Sequence, residues 1–232
     1  MKSLKKSTCA FALLSAVSLP VMANSIDVRV IGNITPSSCT PTLSGGGTID
    51  YGNIAPSSLS ATDFTVLPER QIDFTITCDA PAKVKIRAIN GRPSTLAGAT
   101  EQATTAGPSP VPIFGVANMP VVGLGLDGAA KIGGYGIRIA SGTVTADGIA
   151  VDSIQQNNDW GVDTWMANTT GNIYGTNISK NASWASTGTL TPVEFTTLTG
   201  KLGVQAYINK TTELDISKPI ALNGLTTIEL VY

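Results

Sequence analysis

Alternation of apolar and polar residues with a period of two dominates this chain, and no helical stripe runs longer than two turns. In residues 71–78, Ile72, Phe74, Ile76 and Cys78 share one face while Gln71, Asp73, Thr75 and Thr77 share the other, which is the pattern of a half-buried antiparallel strand. After Asp79-Ala80-Pro81 the alternation resumes, with Val84, Ile86 and Ala88 inward and Lys83, Lys85 and Arg87 outward, and the two runs are predicted to form a hairpin. Further strands are predicted at 49–54, 111–117, 135–140, 142–151, 193–198, 201–209 and 226–232. The stretch 93–112 is rich in Ser, Thr, Ala, Gly and Pro, with almost no large apolar residue, so it is expected to be an exposed loop that adds little core. A boundary there would leave about 69 residues on its N-terminal side, small for an independent sandwich. The 24 glycines and 13 prolines suit many short strands joined by turns. Together these features predict an all-β sandwich with long loop insertions, one domain over 36–232.

Lys2, Lys5 and Lys6, the apolar run 9–19 and the small-residue site ending at Ala23 read as a secretory signal peptide over 1–23. Export from the cytoplasm is therefore expected. Removal of that segment would leave 12 basic and 16 acidic residues and a formal charge of about −4, without the cationic excess that phosphate backbones attract. Nucleic acid is not an expected partner. It would also leave two cysteines, Cys39 and Cys78, and an even count in an exported chain suggests a disulfide that closes a loop of about 40 residues. The chain has no histidine, which excludes Ser-His-Asp and Cys-His nucleophiles, imidazole bases and His-ligated zinc. No enzyme activity, cofactor or metal is expected.

Immediately after Ala23, Ile26, Val28, Val30, Gly32 and Ile34 fall on one face of a regularly alternating segment, and Cys39 follows five residues later. Such a strand needs a sheet to join. This motif resembles the N-terminal segment of pilus subunits assembled by the chaperone/usher route. The segments Ile49-Asp50-Tyr51-Gly52-Asn53-Ile54 and Phe74-Thr75-Ile76-Thr77-Cys78 resemble the pilin stretches after the first cysteine and around the second. The run from Cys78 to Ile86 and the ending Thr226-Thr227-Ile228-Glu229-Leu230-Val231-Tyr232 are most similar to a fimbrial-like family catalogued as domain of unknown function 1120.

The resemblance implies an immunoglobulin-like, pilin-type sandwich that lacks its last strand, with residues 24–35 as a donor-strand extension. A periplasmic chaperone would lend a strand first, and the extension of a neighbouring fimbrial subunit would replace it at an outer-membrane usher. Burial of Ile26, Val28, Val30 and Ile34 would contribute roughly 6–12 kcal/mol as an upper bound, while Gly32 lets the donor backbone approach closely. The implied destination is a fimbrium at the cell surface. The chain departs from the pilin pattern in ending on Tyr232, with its nearest glycine at Gly224.

Other signals weigh less. Gly123-Leu124-Gly125-Leu126-Asp127-Gly128 fits a dinucleotide fingerprint, but Ala129-Ala130-Lys131-Ile132-Gly133-Gly134 is too glycine-rich for the helix that must follow, so a turn is expected. Trp160, Trp165 and Trp184, interleaved with Asn157, Asn158, Asn168, Asn172, Asn177, Asn181 and Tyr174, suit either a surface for host or cell-surface glycans or, as the commoner outcome, rings packed under loops. The glycan surface would make the protein a secreted binding module, the alternative to a fimbrial subunit. Asp152, Asp159 and Asp163 match no calcium-loop spacing and read as solvated turn acids.

Overall fold

A computed structural model describes residues 26–33, 37–157 and 164–232. Its body, Pro36–Tyr232, is a compact all-β unit with no α-helix among the described residues. Nine strands of four or more residues build it: β1 (Cys39–Leu43), β2 (Arg70–Ala82), β3 (Lys85–Asn90), β4 (Pro120–Gly123), β5 (Gly133–Ile139), β6 (Ile149–Asn157), β7 (Lys180–Ser186), β8 (Phe195–Ile208) and β9 (Thr226–Val231). One sheet has the order β1-β2-β8-β5-β4 and the other β9-β3-β7-β6, with every pairing antiparallel. The short strand Thr145–Ala146 pairs with both β6 and β8 and so links the two sheets at a corner.

The core lies between the sheets. Phe74, Ile76 and Leu198 of the first sheet and Ile86, Ala182 and Trp184 of the second are all buried in it. The Trp184 ring stands 6.3 Å from Phe74 and 6.3 Å from Phe195, so one side chain of β7 packs against two strands of the facing sheet. Cys39 and Cys78 occupy opposed positions on β1 and β2, with Cα atoms 4.0 Å apart, and form the disulfide. The all-β sandwich with one disulfide agrees with the sequence.

Several expectations are corrected. The runs around 71–78 and 84–88 are strands but not a hairpin: β2 pairs with β1 and β8, whereas β3 pairs with β7 and β9. Pro81, without an N–H to donate, stands near the end of β2, and the chain crosses from one sheet to the other before β3 begins. Residues 49–54 form no strand. The run 111–117 is a tight turn between Ile113 and Val116, because Phe114 and Gly115 adopt φ of 53° and 75°. Asp147 and Gly148, at φ of 48° and 81°, break the run 142–151 before β6 starts. The two strands expected over 193–209 are one, β8. The loop 93–112 carries core after all: Leu96 and Ala97 are buried with Ile113, Met119, Val121 and Tyr207 in a second apolar cluster. The glycine-rich 123–128 opens no helix, as expected: Gly123 ends β4, and the turn falls at Gly128-Ala129 between the short strands Leu126–Asp127 and Ala130–Lys131.

Candidate functional site

Strand β9 pairs with β3 on one side, and no strand among the described residues pairs with its other edge. It is held at both ends. At its start, the Tyr174 hydroxyl donates to Thr226 Oγ1 at 2.9 Å, and the Tyr135 hydroxyl lies 2.7 Å from the same oxygen. Burial pushes the Tyr135 phenol up to about 12 and raises that of Tyr174 too, so both hydroxyls keep their protons at neutral pH. Beyond the far end of β9, Tyr232 accepts a hydrogen bond at 2.8 Å from the backbone N–H of Cys39, the first residue of β1. The departure from the pilin ending is thus put to use, because the terminal ring ties the last strand to the first.

Between these ties lies a groove of about 1440 Å³. Its floor is the inner face of the first sheet, with Phe74 of β2, Ile137 of β5 and Leu202 and Val204 of β8. One wall is β1 and the chain after it; the Tyr51 hydroxyl donates to Val204 C=O at 3.1 Å and accepts from Ala206 N–H at 3.2 Å, which fixes that wall to β8. The other wall is β9 with the segment 214–225 before it. The floor residues are buried, but the apolar residues of the walls are only partly covered: Ile49, Ile54, Ile72, Ile220, Leu222 and Ile228 pack on the core while half-buried, and Ile216 and Leu225 are exposed by 42% and 46%. Such a trough is larger than the roughly 300–1,000 Å³ of small-molecule pockets. Its chemistry, an apolar floor beside a free strand edge, suits an added strand.

Of the residues singled out as a donor strand, Ile26, Val28 and Val30 belong to no strand and are 91%, 85% and 94% exposed, and Gly32 is exposed as well. Ile34 lies outside the described residues, as do the segment 1–23, Trp160, Asp159 and Asp163. Trp184 is a core residue, so the plainer reading of that ring holds; Trp165 is half-buried. Asp152 is not a turn acid: it lies within β6 opposite Ala185 and accepts from Gly188 N–H at 2.9 Å.

An open groove was what the pilin resemblance implied; the residues that line this one were not singled out as such in the sequence. The apolar spacing of Leu214, Ile216, Ile220 and Leu222 is a signal that points to its second wall. Nothing in sequence order places those residues opposite Ile49 and Ile54.

Fold and site define a class: a disulfide-bonded β-sandwich whose core is open along the free edge of its last strand. The family model described as a protein of unknown function (DUF1120) matches residues 28–136, which take in the exposed alternating segment and β1 to β4. Protein GltF of Escherichia coli (strain K12) is 32% identical over 242 residues, covering 95% of this chain and 94% of that protein. Uncharacterized protein YhcF of the same organism is 37% identical over 68 residues, or 29% of this chain and 28% of that protein. The chain belongs to the DUF1120 family. No solved structure matches it.

Proposed function

We propose that this protein is a structural or minor subunit of a surface fimbria, and that its groove receives a strand from another chain. A periplasmic chaperone fills the groove first; residues 26–34 of a neighbouring subunit then replace it as the outer-membrane usher adds subunits. The observation that carries this reading is the groove beside the unpaired edge of β9, lined by apolar residues that the chain's own body leaves half-covered. The donor fits the same logic: Ile26, Val28 and Val30 alternate at strand spacing and are almost fully exposed, a costly arrangement for a segment that stays in water. Main-chain hydrogen bonds to β9 give pairing, and every second side chain enters the trough.

The test is removal of residues 24–34 followed by assembly with the cognate chaperone and usher. The expected product is a folded chaperone complex that cannot cap the preceding subunit. Normal polymer formation by the shortened chain overturns the reading.

A further inference from the structure

The first residue of β7 is a lysine placed where lysines are rarely tolerated: Lys180 is only 5% exposed. Its Nζ donates to Asn172 Oδ1 at 2.7 Å, and no ion pair among the described residues includes it. An ammonium has three N–H donors, so this single amide acceptor leaves the charge poorly compensated, and burial lowers the amine to about 7. A buried cation without a carboxylate is costly to fold around.

Lys180 faces a pocket of about 350 Å³ at the end of β6 and β7, roofed by the segment 167–178 and sharing no lining residue with the groove. Its roof is preorganised. Asn168 Nδ2 donates to Asn172 C=O at 2.9 Å, Asn172 Nδ2 donates to Tyr174 C=O at 3.1 Å, and Thr170 Oγ1 donates to Asn172 Oδ1 at 2.9 Å. The Asn172 amide that meets the lysine is therefore held at both its nitrogen and its oxygen, and Asn168 holds the backbone beside it. Gln155, Asn157 and Thr169 add further amide and hydroxyl groups to the lining, and among the described residues no arginine or carboxylate lines the pocket.

We propose that this pocket binds an acidic sugar, a monosaccharide unit whose carboxylate meets the Lys180 ammonium and whose hydroxyls meet Gln155, Asn157 and Thr169. The volume is at the small end of ligand sites and fits one ring. Amides and hydroxyls are donors and acceptors at once, as vicinal sugar hydroxyls require. One lysine supplies one positive charge, which balances a carboxylate; a phosphate dianion calls for the arginine fork or the row of backbone N–H groups that phosphate sites use. The inference stands apart from the strand-accepting groove and does not need it.

Calorimetric titration of the full chain tests this with four probes: galacturonate, N-acetylneuraminate, galactose and inorganic phosphate. At least one acidic sugar is expected to bind, at least about tenfold more tightly than galactose or phosphate, which corresponds to about 1.4 kcal/mol. Because the ammonium form binds, and Tyr174 is the only other titratable group among the described lining residues, affinity should fall by about tenfold or more between pH 6 and pH 8.5. Lys180→Met should lose at least about tenfold in affinity for the acidic sugar while its unfolding temperature at pH 6 stays level or rises. Absence of binding by both acidic sugars, equal binding of galactose, tighter binding of phosphate, or affinity indifferent to pH overturns the proposal. If Lys180→Met fails to fold, the pH profile of the unsubstituted protein decides alone.

Discussion

The groove beside β9 and the pocket over Lys180 lie in one sandwich, and their walls are opposites. In the groove, apolar side chains that pack on the core stand half in water beside the unpaired edge of β9. In the pocket, a charged side chain that belongs in water stands inside because a roof of asparagines and threonines covers it. Each departs from the ordinary sorting of residues by burial, in contrary directions. A concave apolar surface beside unpaired backbone reads a strand, by main-chain hydrogen bonds and alternate side chains. A concave polar surface around one charge reads a small ligand, by charge and hydroxyl geometry. Between them Trp184, Phe74 and Phe195 form a closed core that serves both.

The largest expected effect comes from breaking that shared core. Trp184→Ala should destabilise the chain by about 3–5 kcal/mol in equilibrium denaturant unfolding, because the ring is 1% exposed and the two sheets close on it. Replacement of both cysteines by serine should cost about 2–5 kcal/mol in the same measurement, and unreduced protein should show no free thiol on Cys39 or Cys78 by mass spectrometry.

A synthetic peptide of residues 24–35, added to a chain lacking 24–34, should stabilise it by about 2.7 kcal/mol at a hundred times its Kd. Ile228→Ser separates groove from core. Its half-buried side chain should cost the free chain no more than about 1 kcal/mol, yet weaken peptide binding by tenfold or more. An equal loss in both would mean that Ile228 is plain core and would dissolve the contrast.

The last expected effect concerns pH. Burial lowers the Lys180 amine in the folded chain to about 7, far below its ordinary value near 10.4, so the unfolded chain binds the extra proton across that window. Stability from this group is therefore full at high pH and is lost as pH falls toward about 7. Lys180→Met should flatten that slope in unfolding curves recorded at several pH values. An unchanged slope would remove the case for a desolvated charge.

The strands with one wet face were legible. Residues 71–78 and 226–232 show their alternation because a more exposed side and a more covered side sort the residue types. The strand β7 was not, because Lys180, Asn181, Ala182, Ser183, Trp184 and Ala185 are all buried, and with both faces covered nothing alternates. The single run expected over 142–151 failed for a different reason: apolar spacing persists through Asp147-Gly148, where backbone turns and side-chain pattern does not. The exposed segment 26–33 was visible because its alternation is free of other demands. The groove was implied by resemblance alone; its walls were not legible, since Ile54 and Ile220 are far apart in the chain and share a wall-to-wall gap only once both sheets exist.

By itself the sequence determined the strand-rich class, the cysteine pair and the face that each alternating residue shows, because a period of two reports which side of a strand is dry. Only the tertiary structure decided which sheet each strand joins, that β2 and β3 part company, that β9 keeps a free edge, and that Lys180 is buried at the base of a polar pocket. Those outcomes depend on which strand is the neighbour, and neighbours in a sandwich are chosen by long-range packing that no local period records.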